Sequence, residues 1–336
     1  MKTAVVGSGG WGTALALVLL ENGNEVTMLC RRENKCRAMA EKRENPQLKG
    51  VRLPEDLNLT CDWNAVRDCA LVVLATPSFA VRETARALKA YLTPGTVLVC
   101  VSKGIEKETS LLLHQVVEQE VGDPFPVAVL SGPSHAEEVG RGVPTAVVVA
   151  CEDKAAAELT QDLFMNDRFR IYTSPDIIGV EVGGAMKNVI ALCAGCCDGM
   201  GKGDNTKAML MTRGLTEIAR LGVALGAKAE TFTGLAGLGD LIVTCTSVHS
   251  RNCRAGKLIG QGVPVEDAVS GMDGSVVEGY YAAASAKVFA ARSGVEMPIT
   301  EGAYEVLYEG KSPNIVLAEL MTRKKRQEPE GEQSWI

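Results

Sequence analysis

Short apolar runs separated by glycine and proline dominate the first half of the chain. Residues 3–6, 25–30, 70–75, 97–101, 127–130 and 146–150 are rich in Val, Leu and Ala and end in turn formers, which predicts buried strands. Between them, helical periodicity runs over residues 12–22, 80–92 and 110–121, and Pro94-Gly95 stops one such pattern before the next strand. Alternation of this kind predicts a doubly wound α/β domain, a parallel sheet covered by helices. From about Ser174 onward the strand-like runs nearly vanish, and long helical segments of Ala, Leu, Gly and Met take over. Ser174-Pro175-Asp176 reads as a helix start, with the serine hydroxyl as cap, proline in the first turn and an acid near the positive helix end. The expected division is a first domain over 1–178, an all-α second domain over 179–322 and a polar tail over 323–336.

Composition fits that picture. A length of 336 residues, 46% hydrophobic and 23% charged, suits two globular domains, and a net charge of -6 gives no general attraction for nucleic acid or an anionic membrane. Phosphate recognition must then be local, for a small ligand. The longest apolar stretches read as interrupted before the roughly 20 residues that a membrane span needs, and the first strand runs into glycines rather than a leader cleavage pattern. A cytoplasmic enzyme is expected. The 11 cysteines are scattered through predicted elements and read as small buried hydrophobes. Cys193, Cys196 and Cys197 lie in an apolar helical run with no second Cys or His pair at zinc-ligand spacing, so core packing is expected and no metal.

Gly7-Ser8-Gly9-Gly10-Trp11-Gly12 places glycines at the three positions of a GxGxxG fingerprint, between the first strand and the first helix. In a Rossmann-type domain each has a mechanical task. Gly7 permits the tight turn, Gly9 lets the backbone approach a pyrophosphate, and Gly12 lets helix and strand pack closely. The second strand ends in Arg31 and Arg32, where an NAD enzyme commonly keeps a ribose-binding acid. Two guanidinium groups there predict a preference for NADP(H), with NAD(H) also accepted. The other strand ends carry Thr76-Pro77-Ser78, Ser102-Lys103-Gly104 and Ser131-Gly132-Pro133-Ser134, which should converge on the ligand-binding edge of the sheet.

In the second half, Lys187 shares a helical face with Gly183, Gly184, Ala191 and Ala194. Such a lysine can lie against a ligand, but periodicity alone slightly favours an ammonium snorkelling to water. Residues 234–241 form a glycine-punctuated loop containing Asp240, followed by Thr244, Thr246 and the triplet Ser250-Arg251-Asn252. That triplet suits a phosphate, with a forked cation and neutral donors, and equally suits a helix cap.

Taken in order, the Gly7 to Ala16 run, Ser102-Lys103-Gly104-Ile105, Leu130 to Ser134, Lys187-Asn188, Gly234 to Asp240 and Ser250-Arg251-Asn252 resemble the bacterial NAD(P)-dependent glycerol-3-phosphate dehydrogenases. The likeness runs from the first strand to about Lys311. It implies a C-terminal domain of the 6-phosphogluconate dehydrogenase type, and reduction of dihydroxyacetone phosphate to sn-glycerol 3-phosphate, and the reverse, for phospholipid synthesis. Carried over by position, it implies that Gly10, Trp11, Arg31, Arg32, Lys103, Ala136, Arg251, Val276 and Glu278 line the cofactor. It makes Lys187 the catalytic lysine, and Lys103, Gly132, Ser134, Asp240, Ser250, Arg251 and Asn252 contacts of a phosphorylated triose. One departure is Gly10, where many relatives have serine. A homodimer is compatible with the resemblance and is not fixed by it.

Carbonyl reduction needs a donor for the charge that develops on oxygen, and a lysine ammonium can supply hydrogen bond and proton. An ordinary lysine is a poor base at neutral pH, so burial and a second cation such as Lys103 should depress Lys187. The three histidines, His114, His135 and His249, are rivals, with the last two read as positioning or incidental residues. Rival functions are another β-hydroxyacid-type dehydrogenase and a non-catalytic NAD(P)-sensing protein.

Overall fold

The structure is a computed structural model describing residues 1–272, 276–325 and 328, so most of the expected tail lies outside the described residues. Its first part is one eight-stranded sheet in the order β3-β2-β1-β4-β5-β6-β7-β8. The strands are β1 Lys2–Val6, β2 Glu25–Leu29, β3 Asn58–Thr60, β4 Leu71–Leu74, β5 Val97–Cys100, β6 Val127–Ser131, β7 Thr145–Ala150 and β8 Phe169–Ser174. The six expected strands are present, and their connections explain the order. Helices connect most of the parallel neighbours, and the order β3-β2-β1-β4-β5-β6 is that of dinucleotide-binding folds, reversing between β1 and β4.

Two features depart from the expected all-parallel sheet. β7 runs antiparallel to β6, with Val129 opposite Ala150, and β8 then runs parallel to β7. β3 and β8 were not anticipated from the pattern. β3 is a short, partly exposed edge segment, and β8 buries Phe169 and Ile171 while exposing Arg170 and Tyr172.

Six helices cover the sheet: α1 Gly10–Glu21, α2 Glu33–Lys42, α3 Val81–Leu88, α4 Leu113–Val121, α5 Ala136–Val139 and α6 Lys154–Phe164. One apolar cluster joins Leu15, Leu19, Met28 and Phe164, and another joins Leu74, Leu88, Leu98 and Val117, so both faces are covered. Each such fully buried aliphatic side chain contributes about 1.5–3 kcal/mol relative to exposure.

The second part is helical: α7 Ile177–Gly199, α8 Asp204–Ala224, α9 Asp240–Thr246, α10 Arg251–Gly260, α11 Val265–Ser270, α12 Glu278–Ser293, α13 Pro298–Tyr308 and α14 Pro313–Met321. α7 is its axis, packed by α8, α9, α10 and α12. Small residues make this feasible. A β-carbon on Gly195 would lie 2.0 Å from the Cys253 carbonyl oxygen, and one on Gly256 would lie 2.0 Å from that of Leu192, so α7 and α10 meet backbone to backbone. Cys196 and Cys197 pack in this core. With 23 residues and a mean hydropathy of 1.5 over its most apolar window, α7 is long and apolar enough to cross a membrane, contrary to the interrupted pattern expected, but 89% of that window is buried within the fold.

The cap of α7 is Asp176, not Ser174. Its Oδ1 accepts from the Gly179 N–H at 2.9 Å, while its Oδ2 accepts from the Lys228 N–H at 2.9 Å and from the Thr231 hydroxyl. Ser174 Oγ accepts from the Asp176 N–H at 3.1 Å instead. Pro175 therefore precedes the cap rather than occupying the first turn. A buried His114–Glu181 pair joins α4 to α7, and the Glu181 carboxylate also accepts the His114 backbone N–H at 3.0 Å. The sheet and the helix that carries Lys187 are thus tied together.

Candidate active site

Gly7 and Gly12 have the backbone geometry expected of a tight turn and of close helix–strand packing. Gly7 has φ +119, and a β-carbon there would lie 2.4 Å from the Ala75 carbonyl oxygen at the end of β4. At Gly12 a β-carbon would lie 2.3 Å from the Gly7 carbonyl oxygen and 2.9 Å from the Ala75 Cβ, so helix and strand leave no room for one. At Gly9 nothing lies within 4 Å, which leaves the loop open at the helix N-terminus. Gly10 is close to the segment after α2, since its β-carbon would be 2.5 Å from the Gln47 carbonyl oxygen. That contact explains why this chain has no side chain there. Ala136, first residue of α5, faces Gly10, its Cβ lying 3.6 Å from where a Gly10 β-carbon would be.

Arg31 and Arg32 are both exposed at the carboxyl end of β2, and Arg32 precedes α2 as its N-cap. Among the described residues, the buried Trp11 indole N–H and the Thr76 hydroxyl find no hydrogen-bond partner. Both stand at this edge of the sheet, beside β1 and β4. Unspent donors, the open backbone at Gly9 and exposed cations at β2 fit a dinucleotide diphosphate across the strand-order reversal. Glu278, first residue of α12, accepts from the Ser78 hydroxyl at 2.6 Å, which brings the second domain over the end of β4. Burial raises its carboxyl pKa, with the Ser78 hydrogen bonds opposing. Val276 lies just before it, lining a groove with Tyr280 and Glu266.

Further along the same edge, the loops after β5 and β6 meet α7 and α9. Lys103 donates to the Gly132 carbonyl at 2.8 Å, to Ser134 Oγ at 3.2 Å and to Asp240 Oδ2 at 2.8 Å. Lys187 donates to Asp240 Oδ1 at 2.5 Å and to Thr244 Oγ1 at 2.6 Å. The structure therefore gathers Lys103, Gly132, Ser134, Lys187 and Asp240 in one cluster. Lys187 is 6% exposed, and its ammonium does not snorkel to water, because Asp240 and Thr244 meet it inside the fold. Asp240 is placed by a helical turn, not a loop: Leu235–Gly239 winds as one π-helical turn that leads directly into α9. Gly183 makes this approach feasible, since a β-carbon there would be 2.6 Å from the Ala236 carbonyl oxygen.

The electrostatics follow from burial and counting. Two ammonium groups share one carboxylate, so the cluster keeps a net positive charge. Burial lowers the Lys187 pKa to about 8, with Asp240 opposing and Lys103 adding to the shift. Burial favours a neutral Asp240, yet Lys103 and Lys187 outweigh it and hold the carboxyl below its ordinary value. His135 is nearby, its imidazole pKa lowered by burial and then by Lys187. Its ring lies 5.8 Å from that of His249.

The triplet Ser250-Arg251-Asn252 begins α10. Ser250 caps it, accepting from the Cys253 N–H at 3.2 Å, and Arg251 is the exposed first residue. Asn252 is buried, donating to Asn188 Oδ1 at 2.9 Å and accepting from the Gly279 N–H at 2.9 Å. Asn188 in turn donates to the Lys103 carbonyl at 3.3 Å. This amide chain ties α7, α10 and α12 to the Lys103 loop, and sequence reasoning had not singled out Asn188 for it. Thr244 is a second residue left without a role, although its position one turn after Asp240 carried the signal.

Fold and cleft together define a two-domain protein of the dinucleotide-dependent oxidoreductase class, with a buried lysine–carboxylate cluster at the domain junction. Comparison with known proteins narrows this. Residues 2–157 match the family model for the NAD-dependent glycerol-3-phosphate dehydrogenase N-terminus, and residues 176–318 match that for the C-terminus. The chain is 55% identical to glycerol-3-phosphate dehydrogenase [NAD(P)+] of Moorella thermoacetica over 330 residues, 98% of each chain. It is 50% identical to the enzyme of the same name from Desulfitobacterium hafniense, covering 98% of this chain and 93% of that one. A crystal structure of glycerol-3-phosphate dehydrogenase from Coxiella burnetii is 38% identical and superposes with a TM-score of 0.91, covering 96% of this chain and 98% of that one. The chain belongs to the NAD-dependent glycerol-3-phosphate dehydrogenase family.

Proposed function

We propose that the protein is a cytoplasmic NAD(P)-dependent glycerol-3-phosphate dehydrogenase that reduces dihydroxyacetone phosphate to sn-glycerol 3-phosphate and catalyses the reverse, with the cofactor held mainly by the sheet domain, which ends before α7 at Ile177 rather than at 178, and the substrate in the cleft between that domain and the helical one. The observation that carries this reading is Lys187, buried with its ammonium on Asp240 and Thr244 and a second ammonium from Lys103 on the same carboxylate. Gly9, Gly10, Trp11, Arg31, Arg32, Ala136, Arg251, Val276 and Glu278 would hold the dinucleotide, which supplies or accepts the hydride when bound.

Lys187 donates a hydrogen bond to the substrate carbonyl oxygen, then its proton as negative charge develops there. Asp240 and Thr244 fix the direction of the ammonium, and the Asp240 carboxylate keeps it protonated despite burial. Lys103 adds positive charge that favours an anionic ligand. In the reverse direction Lys187 acts as the neutral amine that removes the hydroxyl proton. Arg251, exposed at the start of α10, meets the substrate phosphate with the helix N-terminal amides. Ser250 and Asn252 position that turn through the bonds described above.

Steady-state assays with dihydroxyacetone phosphate, unphosphorylated dihydroxyacetone and a β-keto acid test this. Dihydronicotinamide oxidation with the phosphorylated triose alone is expected. Faster turnover of the keto acid would assign the site to a β-hydroxyacid-type enzyme.

A further inference from the structure

The functional reading leaves one cation at the cofactor edge without a task. Lys35 stands in the first turns of α2, just past Arg31 and Arg32. Its ammonium donates to the Ser8 carbonyl at 2.5 Å and to Gln47 Oε1 at 2.7 Å. Asn45 Nδ2 donates to the same Ser8 carbonyl at 3.1 Å and to Thr13 Oγ1 at 2.6 Å, so that carbonyl is satisfied without Lys35. Ser8 lies inside the glycine loop, between the turn at Gly7 and the open position at Gly9.

Among the described residues Lys35 has no carboxylate partner, only neutral acceptors. Glu33, two positions earlier in α2, projects from a different side of the helix. Burial, and then Arg32 against an opposing Cys30, lower the pKa of the ammonium, a penalty that an anion would reverse. A tie between the glycine loop and Gln47 requires a donor but no charge, and an ammonium carries three donors where two are used. The side from which Lys35 arrives is also informative. The helix N-terminus at Gly9 to Trp11 is the place for a pyrophosphate, whereas the β2 end is the place for the adenosine ribose. Lys35 comes from the β2 side.

We infer that Lys35 is a specificity-determining residue, the third cation that with Arg31 and Arg32 recognises the ribose 2′-phosphate of NADP(H). This rests on the reading of the cleft as an NAD(P) site.

Calorimetric titration of the full chain without substrate tests it, with NADPH, NADH, adenosine 2′,5′-bisphosphate and adenosine 5′-monophosphate as probes. Lys35→Met should weaken NADPH and the bisphosphate about ten- to a hundredfold, as for one charge-assisted hydrogen bond, and leave NADH and the monophosphate within about twofold. Lys35→Gln, which keeps a donor for the Ser8 carbonyl, should keep the wild-type melting temperature and still lose the same NADPH affinity. The loss should shrink as salt rises. Equal weakening of NADPH and NADH would make Lys35 a loop tie or a pyrophosphate contact and overturn the inference. Unchanged NADPH affinity in both variants would overturn it too, with the cofactor site intact. A wild-type chain that binds neither dinucleotide overturns the cleft reading itself, and the role of Lys35 with it.

Discussion

Replacing Lys187 with methionine removes the ammonium and keeps an unbranched stem in the core of α7. Two hydrogen bonds are lost, to Asp240 at 2.5 Å and to Thr244 at 2.6 Å. Asp240 is not left as an uncompensated buried charge, because Lys103 stays on its other oxygen at 2.8 Å and the Thr244 hydroxyl lies 3.3 Å from Oδ1. The stability loss should then be about 1–3 kcal/mol, as for lost hydrogen bonds to charged groups, rather than the roughly 3–5 kcal/mol of a broken buried pair. Turnover should fall much further. General acid–base assistance is worth about 10² to 10⁴ in rate, or roughly 3–5 kcal/mol, and nothing in the cluster replaces a donor at the Lys187 position. The assay is kcat and KM for dihydroxyacetone phosphate by dihydronicotinamide absorbance, with NADPH affinity and the thermal midpoint measured on the same preparation.

The pKa adds a sign. With Lys187 titrating at about 8, reduction needs the protonated amine and should decline as pH rises through that value. Oxidation of glycerol 3-phosphate needs the neutral amine and should increase over the same range. Both inflections should vanish in the methionine variant. A variant that binds NADPH normally and reduces dihydroxyacetone phosphate at near wild-type rate would refute the role of Lys187 and leave Lys103 as the next donor.

Other perturbations separate the parts of the site. Replacing Arg31 and Arg32 with neutral residues should raise the KM for NADPH more than that for NADH, and equal losses would remove the 2′-phosphate reading. Arg251→Lys keeps the charge and loses the fork, so KM for dihydroxyacetone phosphate should rise about tenfold or more, with some loss of cofactor affinity; unchanged substrate affinity would contradict the proposed geometry. Gly9→Ala should fold normally, since Gly9 has φ -74 and open space around its β-carbon position, yet bind either dinucleotide weakly. Gly12→Ala should lower the thermal midpoint as well, because its β-carbon meets the Gly7 carbonyl at 2.3 Å. If both variants bind cofactor normally, the loop does not hold a pyrophosphate.

The parts legible in the sequence are those whose physics is local. Apolar runs ending in Gly and Pro marked six strands, and the glycine spacing foretold a tight turn at Gly7, where φ is +119, and close helix–strand packing at Gly12. β3 was hidden because Asn58–Thr60 is short and its pairing partner β2 is distant in sequence. β8 carried only a brief period-two signal, buried Phe169 and Ile171 alternating with exposed Arg170 and Tyr172, unlike the continuous apolar runs that marked the other strands. The antiparallel turn of β7 depends on how the chain crosses after α5, which no strand pattern encodes. Periodicity alone favoured a snorkelling Lys187, and only the chemistry asked of it called for burial: small neighbours on one helix say nothing of the Asp240 carboxylate that comes from 53 residues away. Lys35 and Asn188 acquire meaning only through their partners, Ser8 and Gln47 for one, Asn252 and the Lys103 loop for the other.

The most direct test of the central claim is to add dihydroxyacetone phosphate to the purified chain with NADPH, and in parallel with NADH, and to follow dihydronicotinamide loss while identifying the product. Substrate-dependent oxidation, faster with NADPH at low cofactor concentration and yielding glycerol 3-phosphate, is the expected result. Tight binding of either dinucleotide with no oxidation on adding the triose phosphate would contradict it, and would make the chain a nucleotide-sensing protein instead of a dehydrogenase.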